Sequence, residues 1–218
     1  IIVYKSFGII GNSIKIAQSS IFGVGGVSFR NKKSKANFVQ TLAFGAYKRE
    51  IFELIGGYDE ELIKNQDDEL NYRCVENGFK IFMSPKLKTN YMVRENFVDL
   101  SKQYFLYGLY KPLVFKKVSY GAKIYHFVPA VHLILSILSL AIFPYYQYSL
   151  YYFFSYFIFA LIFSIKKNRS IKDIVYSIFV FLSVHYSYGF GFTKGYFKRL
   201  QDFSSKIGFA FLKQLKAI

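Results

Sequence analysis

The chain has 218 residues, a hydrophobic fraction of 53%, an aromatic fraction of 21% and a formal net charge of +16, which sets it apart from an average soluble domain. Its single cysteine, Cys74, excludes an internal disulfide framework, which is typical of a protein in a reducing compartment. Alternatively, Cys74 is simply a small apolar side chain that packs on a helix. The first residues do not have the pattern of a signal peptide. Because the first residue is Ile rather than Met, we expect the chain to be part of a longer protein.

Charged and apolar residues occupy different parts of the chain. Residues 1–123 carry 19 of the 29 Lys and Arg residues and 11 of the 13 Asp and Glu residues, whereas the 39 residues from 127 to 165 carry none. Basic residues flank the apolar segments, which is typical of membrane spans beside anionic lipid. The distribution therefore favours membrane lipid over nucleic acid as a partner, and no nucleic-acid binding is expected.

The charged part, residues 1–95, is predicted to be an α/β domain. A short helix over residues 12–22 precedes a Gly-rich turn, "GVGG", which lacks the Lys-Ser/Thr of a phosphate-binding loop and the context of a dinucleotide fingerprint. A strand over residues 38–44 is followed by a helix that ends at Gly56, and a second short strand covers residues 80–85. Strands and helices in this order indicate the α/β class.

Three consecutive acids, Asp67, Asp68 and Glu69, stand out in this basic chain. Asn65 is a good N-cap residue, and acids in a first turn complement the helix dipole. We expect the helix to continue until Gly78 provides a left-handed cap. Helix-start chemistry alone therefore explains the acidic cluster, without any catalytic role.

The apolar part predicts a helical membrane region over residues 124–192. A hydrocarbon core about 30 Å thick needs about 20 apolar residues in a helix, which predicts spans at about 125–144 and 148–165 joined by a Tyr-rich turn. A third segment, about 173–192, either crosses the membrane or re-enters it. A simple crossing would place the basic tail, residues 193–218, outside and against the positive-inside rule.

Residues 96–123 connect the two parts. They predict an amphipathic helix on the membrane surface, with Phe, Tyr and Leu in lipid and Lys in water. Because the predicted hairpin has basic residues at both ends and none at its turn, we expect a multi-pass protein of the cell membrane with its charged part in the cytoplasm.

His185, in the third apolar segment, is either functional or a neutral imidazole bonded to a neighbouring helix. His126 and His132 lack metal-ligand spacing and are interpreted as structural.

The order of several motifs resembles a known enzyme family. The segment over residues 44–85, with "GGYDEE", "NQDDELNYR" and "MSP", is similar to the C-terminal part of the catalytic domain of family 2 glycosyltransferases. "SIFGVGGVSFR", "QYFLYGLYK" and "HYSYGFGF" extend the similarity, over roughly residues 10–195, to the membrane-anchored branch typified by succinoglycan-biosynthesis glycosyltransferases. The resemblance implies the C-terminal half of a GT-A fold, a Rossmann-like α/β domain, followed by two or three membrane helices.

The resemblance also implies roles for the residues of the acidic cluster. Asp67 stands where the family has its catalytic base, which would take the proton of an acceptor hydroxyl as that oxygen attacks the anomeric carbon in an inverting displacement. Gln66, in place of the usual Glu, and Asp68, at a variable position expected to be solvent-facing or a cap, are candidate substrate-binding or acceptor-binding residues. Glu69 and Arg73 are candidate structural partners one helical turn apart.

Two further candidates come from "QYFLYG". Gln103 and Tyr107 lie where processive relatives carry Gln-x-x-Arg-Trp, near the acceptor and donor, and are candidate acceptor-binding residues. Because Leu106 and Tyr107 replace Arg-Trp, the addition of one sugar is favoured over processive synthesis.

The expected reaction is the transfer of a sugar from a nucleotide-diphospho-sugar to a lipid-linked saccharide or a growing surface polysaccharide. The family uses a divalent metal, Mg²⁺ or Mn²⁺, bound by an Asp-x-Asp motif that this sequence lacks. We therefore expect the metal ligands to lie upstream of this chain, and the chain alone to be inactive. Two alternatives stay open: a non-catalytic membrane-anchored or partner-binding fragment, and a small polytopic protein that handles a polyprenyl-linked saccharide.

Overall fold

The computed structural model describes residues 1–30, 35–119, 121–166 and 170–215, with side chains described up to Leu200. The side chains of the predicted basic tail from Gln201 onward, and all of residues 216–218, lie outside the described part. The described strands and helices follow one another as β1 (Ile2–Lys5), α1 (Gly8–Gln18), α2 (Ile21–Val24), β2 (Asn37–Val39), α3 (Arg49–Ile55), α4 (Gln66–Glu76), β3 (Ile81–Met83), β4 (Thr89–Met92), α5 (Phe97–Lys117), α6 (Ile124–Ile142), α7 (Leu150–Ile165) and α8 (Ile171–Leu215).

Two short sheets belong to the α/β part. β1 pairs with β4 in parallel, with Ile2 opposite Thr89, and β2 pairs with β3 in antiparallel. The strand predicted over residues 38–44 is too long, because β2 ends at Val39. Thr41 and Leu42 instead form hydrogen bonds with side chains of α4, so this stretch of backbone does not continue the ladder.

The helix predicted after Asn65 is α4. It ends at Glu76, and Gly78 just after it has the predicted left-handed conformation, with a φ of +84° and an N–H that donates to the carbonyl oxygen of Val75 at 3.0 Å. The prediction that the Asn65 side chain caps the helix was wrong. Asn65 occupies the cap position with a φ of +65°, but its side-chain amide donates to the carbonyl oxygen of Tyr107 at 2.9 Å. That bond fixes the start of α4 against α5.

A shared core joins the α/β part to the helical region. Fully buried side chains of α1, α5 and α8 belong to this core, among them those of Ile14, Ala17, Leu100, Val180 and Phe181. Burying one such large apolar side chain contributes roughly 1.5–3 kcal/mol. The helical region is therefore packed onto the α/β part as one body.

α5 and α8 approach each other closely through glycines. A Cβ atom on Gly108 would lie 2.2 Å from the carbonyl oxygen of Tyr188, and one on Gly191 would lie 2.0 Å from that of Phe105. Small residues at such crossings let helix backbones come into contact. Most apolar side chains of α5 are buried or half-buried by the protein itself, and its position on a membrane surface stays a prediction.

Three described helices are long and apolar enough to cross a membrane: Ile124–Ile142, Gln147–Ile165 and Ile171–Leu200. They follow the α/β part, which confirms the predicted fold class. The third lies in α8, a continuous helix of 45 residues that is roughly 68 Å long at 1.5 Å per residue. No re-entrant turn interrupts α8, so the third apolar segment is a continuous helix in this structure.

Candidate active site

A cavity of about 660 Å³ is lined by both parts of the chain. Its size lies within the range of about 300–1,000 Å³ that is usual for small-molecule sites. One part of its wall is polar and comes from the start of α4 and from α5: Gln66, Asp67, Asp68, Tyr107 and Lys111. Another part comes from α6, α7 and α8: Pro129, His132, Tyr156, Phe163 and His185. The acidic cluster therefore opens into a cavity that reaches the candidate membrane spans.

Asp67 lies in the cavity wall, in the first turn of α4. One of its carboxylate oxygens accepts the backbone N–H of Asp68 at 3.0 Å. Among the residues that the structure describes, no basic side chain lies within ion-pair distance of it. Burial and the neighbouring charge of Asp68 raise the pKa of Asp67. A carboxylate with a raised pKa is a stronger proton acceptor than an ordinary one.

Asp68 is held in a different environment. Its carboxylate accepts the Thr41 hydroxyl at 2.6 Å and forms an ion pair with the ammonium group of Lys111. Burial alone would raise the pKa of Asp68, but Lys111 and the Thr41 hydrogen bond hold that pKa below its ordinary value. The expectation that Asp68 is solvent-facing or a cap was wrong, because α5 supplies a counter-charge that the local sequence does not contain.

The two adjacent carboxylates thus have pKa values that are shifted in opposite directions. Asp68 stays ionised beside Lys111, and its negative charge helps to raise the pKa of Asp67. Such a split is typical of paired acids with separate roles. In this arrangement Asp67 can receive a proton from a group in the cavity.

Asn71 holds the first turns of α4 in place. It is fully buried, donates to the carbonyl oxygen of Leu42 at 2.8 Å and accepts the hydroxyl of Tyr47 at 2.9 Å. It lies one helical turn after Asp67. The carboxylates are therefore carried by a rigid segment.

Glu69 and Arg73 form a bidentate ion pair on the other side of α4, with nitrogen–oxygen distances of 2.8 Å. The Arg73 guanidinium also donates to the carbonyl oxygens of Ile55, Gly56 and Gly57. These contacts fix α4 to the end of α3. Neither side chain lines the cavity.

The remaining candidates differ in their relation to the cavity. Gln66 lines it and donates to the carbonyl oxygen of Ile63 at 3.1 Å. Tyr107 also lines it, whereas Gln103 lies behind Tyr107 and donates to its hydroxyl at 2.8 Å. Gln103 is 6% exposed and also donates to the Tyr91 hydroxyl at 2.8 Å. The structure therefore brings four candidates to the cavity wall: Gln66, Asp67, Asp68 and Tyr107.

The described ranges contain no group of three or more His, Cys, Asp or Glu side chains that could hold a metal ion. The acids in the cavity wall are Asp67 and Asp68, and Asp68 is already paired with Lys111. These residues therefore do not form a ligand set for the divalent metal that the family resemblance implies.

The histidines of the helical region are bonded within the protein. His185 donates from Nε2 to the carbonyl oxygen of Phe22 at 2.8 Å, and its Nδ1 lies 2.8 Å from the hydroxyl of Tyr156. A carbonyl partner on one nitrogen and a hydroxyl on the other suit a neutral imidazole. This environment matches the structural alternative for His185. His126 accepts the backbone N–H of Lys123 at 3.2 Å.

Three residues that shape the site were not predicted from the sequence: Thr41, Asn71 and Lys111. Lys111 did carry a signal, since a lysine among apolar residues of a helix needs a counter-charge when it is buried. Thr41 and Asn71 carry no comparable signal, because their contacts arise only when the segment after β2 folds onto α4.

Comparisons with known proteins identify two relatives that match part of this chain. The succinoglycan biosynthesis protein ExoA of Rhizobium meliloti (strain 1021) is 36% identical over 92 residues, which are 42% of this chain and 28% of that protein. The dolichyl N-acetyl-α-D-glucosaminyl phosphate 3-β-D-2,3-diacetamido-2,3-dideoxy-β-D-glucuronosyltransferase of Methanococcus voltae is 30% identical over 96 residues, which are 43% of this chain and 29% of that protein. No family model and no solved structure matches the chain.

The matched stretch therefore spans less than a third of either relative. An α/β part with an acidic cavity, followed by apolar helices long enough to cross a membrane, defines the class as that of membrane-associated α/β proteins. Within that class the chain is similar to part of a succinoglycan-type glycosyltransferase, and the resemblance indicated by the motifs is confirmed.

Proposed function

We propose that this chain forms part of the active site of a family 2 membrane glycosyltransferase, with Asp67 as the catalytic base. The enzyme would transfer one sugar from a nucleotide-diphospho-sugar to a lipid-linked saccharide or a growing surface polysaccharide. The observation that carries the proposal is the position of the Asp67 carboxylate, in the wall of a cavity that extends to the candidate membrane spans. The names of the two relatives support the reaction class.

The chemistry follows from the two carboxylates. An acceptor hydroxyl in the cavity gives its proton to Asp67 as its oxygen forms a bond with the anomeric carbon. The bond between that carbon and the diphosphate breaks, the nucleoside diphosphate leaves with the electron pair, and the configuration inverts. The ionised Asp68, held by Lys111, makes Asp67 the more basic carboxylate, and a base fixed on a helix is already positioned for the transfer.

We place the α/β part on the cytoplasmic side. Nucleotide-sugars are the donors in this proposal, and Lys116 and Lys117 at the end of α5 and Lys123 in the α5–α6 connection favour the cytoplasmic face. This connection leads into α6, whose first-turn residues Tyr125 and His126 lie in the cavity wall. The acceptor would thus meet the donor at the inner membrane surface.

Replacement of the base tests the proposal. In membranes from cells that express the protein containing this chain, we expect Asp67→Asn to lower sugar transfer by roughly 10²- to 10⁴-fold, the usual contribution of a general base, while nucleotide-sugar binding persists. Asp99→Asn is a matched control, because Asp99 also lies in the first turn of a helix but is exposed. Unchanged turnover in Asp67→Asn would refute the role. Absence of transfer by the unmodified protein, with any donor, would favour a non-catalytic anchoring module instead.

A further inference from the structure

Arg30 is a cation in the cavity wall without an acidic partner. Its guanidinium donates to the hydroxyl of Tyr4 at 3.0 Å and lies 5.7 Å from the ring centre of Phe29. Over the described part of the chain, no carboxylate lies within ion-pair distance of it. Guanidinium groups away from bulk water are usually paired, because the unpaired charge is costly to desolvate. Arg30 therefore has capacity for an anionic ligand.

A second polar group points to the same ligand. Tyr104 lines the cavity and is 5% exposed, and its buried hydroxyl has no hydrogen-bond partner within the described structure. A buried hydroxyl without a partner loses its hydration without compensation. A phosphate oxygen could accept this hydroxyl and the N–H groups of Arg30 together, since guanidinium groups suit phosphate geometry.

Tyr107 lines the cavity together with Arg30, Tyr104 and the proposed base, Asp67. Burial raises the pKa of Tyr107, while of the charges around it Arg30 lowers that pKa and Asp67 raises it. Tyr107 therefore lies within electrostatic reach of both residues. Arg30 and Asp67 line the same cavity.

A second cleft lies beside the cavity. This cleft of about 450 Å³ lies between α6 and α7 and shares Val128, His132 and Tyr156 with the wall of the main cavity. Its other lining residues include Val131 and Phe159, which are 51% and 55% exposed on the outer face of these helices. We call the adjacent cleft and cavity, from the outer face of α6 and α7 to Arg30, the lipid path.

We propose that this path binds the lipid phosphate of the acceptor, with the phosphate on Arg30 and Tyr104 and the hydrocarbon chain leaving between α6 and α7. The inference rests on the proposed function and assigns the residues that hold its acceptor. A nucleoside diphosphate could also pair with Arg30, but it has no hydrocarbon chain to fill the apolar cleft. The structure therefore favours the lipid as the source of the phosphate.

Binding of a defined probe tests the phosphate contact. The purified protein containing this chain is placed in nanodiscs of neutral lipid and titrated with a short-chain polyprenyl phosphate. We expect Arg30→Gln to weaken binding by about tenfold or more, as the loss of a charge-assisted hydrogen bond implies. Arg49→Gln is the matched control, since Arg49 is exposed on α3, and it should bind normally. Tyr104→Phe removes only the unpartnered hydroxyl and should weaken binding with no loss of thermal stability.

The two possible sources of the phosphate give different results. UDP and the phosphate-free polyprenol are titrated in parallel, and Arg30→Gln should leave both affinities unchanged. A loss of UDP binding with intact polyprenyl-phosphate binding would overturn the assignment. So would equal polyprenyl-phosphate affinity in Arg30→Gln, Tyr104→Phe and the unmodified protein.

The chain path is tested by filling the cleft and by cross-linking. Ser155→Trp places a large ring in the cleft and should abolish polyprenyl-phosphate binding, whereas Ile158→Trp, on the same helix but outside the cleft, should not. A photoreactive group at the end of the probe chain should label α6 and α7. Labelling confined to α8 or to the α/β part would overturn the path.

These outcomes can be separated from those that concern the base. Asp67→Asn should bind the probe normally, because Asp67 does not contact the phosphate in this proposal. If Asp67→Asn stays active while Arg30→Gln loses probe binding, the proposed base fails and the lipid site stands. If Asp67→Asn is inactive while Arg30→Gln binds normally, the lipid site fails and the base stands.

Discussion

Lys111 on α5 neutralises Asp68 on α4, although the two residues are 43 positions apart along the chain. Asp68 directly follows Asp67, the proposed base. The side chains of Lys111 and Asp68 are only 5% and 22% exposed. The ion pair is the closest polar contact between α5 and the acidic cluster, and it leaves Asp67 as the carboxylate without a counter-charge. One contact therefore stabilises the packing of α5 and also sets which acid can act as a base.

Removal of the Lys111 charge should destabilise the protein strongly. In Lys111→Met the carboxylate of Asp68 stays buried without its partner, and breaking a buried pair in this way costs about 3–5 kcal/mol. We expect the free energy of unfolding, measured by denaturant titration in detergent micelles, to fall by that amount.

The control for this variant lies on the same helix. Lys117 pairs with Asp59 and Glu61 at a more exposed position, where an ion pair contributes only about 0–1 kcal/mol. Lys117→Met should therefore change the free energy of unfolding much less. Equal losses in the two variants would contradict the view that the pair of Lys111 and Asp68 is buried and essential.

The pH dependence of sugar transfer should depend on Asp68. A general base acts only when it is deprotonated, so kcat/KM should fall as the pH drops through the raised pKa of Asp67. Asp68→Asn removes the neighbouring negative charge and leaves Lys111 as a nearby cation, and both changes lower the pKa of Asp67. The acidic limb of the profile should therefore move to lower pH.

Asp99→Asn is the control for this profile as well, because Asp99 is exposed and distant from the cavity wall. Its profile should match that of the unmodified protein. An acidic limb that stays in place in Asp68→Asn, or that moves to higher pH, would mean that Asp67 is not the group that titrates.

The sequence predicted those features that depend on neighbouring residues. Acids in the first turn and Gly78 after the last turn define α4 (Gln66–Glu76), and long uncharged segments define the apolar helices. Features that depend on distant pairing were missed. β1 pairs with β4 across the whole α/β part, and the Asn65 side chain binds α5 instead of capping α4.

The candidate site likewise has one part that the sequence predicted and another that it did not. The identity of Asp67 came from a motif, but its raised pKa depends on burial and on the state of Asp68. That state is set by Lys111 and Thr41, which belong to different segments of the chain. No local pattern encodes such an arrangement, because it exists only after α5 and the segment following β2 have packed on α4.

The close approach of α5 and α8 predicts the effect of a single methyl group. A Cβ atom at Gly191 would lie 2.0 Å from the carbonyl oxygen of Phe105, a backbone atom that cannot rotate away. Gly191→Ala should therefore push the two helices apart and lower the free energy of unfolding by about 1–3 kcal/mol, the usual cost of overpacking.

Gly57→Ala provides the comparison, because a Cβ atom at Gly57 would meet no atom within 4 Å. Thermal unfolding in detergent should show a lower midpoint for Gly191→Ala and little change for Gly57→Ala. If Gly191→Ala were as stable as the unmodified protein, the helices would not be in the close contact described above.

A buried hydrogen-bond chain connects α7 and α8 to Phe22 of α2, directly before the Gly-rich turn in the cavity wall. The hydroxyl of Tyr156 lies 2.8 Å from Nδ1 of His185, whose Nε2 donates to the carbonyl oxygen of Phe22 at 2.8 Å. The Phe22 ring also lies between those of Phe163 and Phe181, with centroid distances of 5.0 Å and 4.9 Å. The position of this turn therefore depends on polar groups inside the helical region.

Removal of the Tyr156 hydroxyl should weaken this connection without changing the shape of the core. In Tyr156→Phe, Nδ1 of His185 is left buried without its partner, and such a loss costs about 1–3 kcal/mol. Tyr151→Phe is the matched control on the same helix, because Tyr151 is 67% exposed and its hydroxyl can reach solvent or lipid headgroups.

Denaturant unfolding in detergent should show a lower free energy of unfolding for Tyr156→Phe alone. In a double-mutant cycle with His185→Phe, the effects should be less than additive, since either change removes the same bond. Full additivity would show that the two side chains do not act on each other.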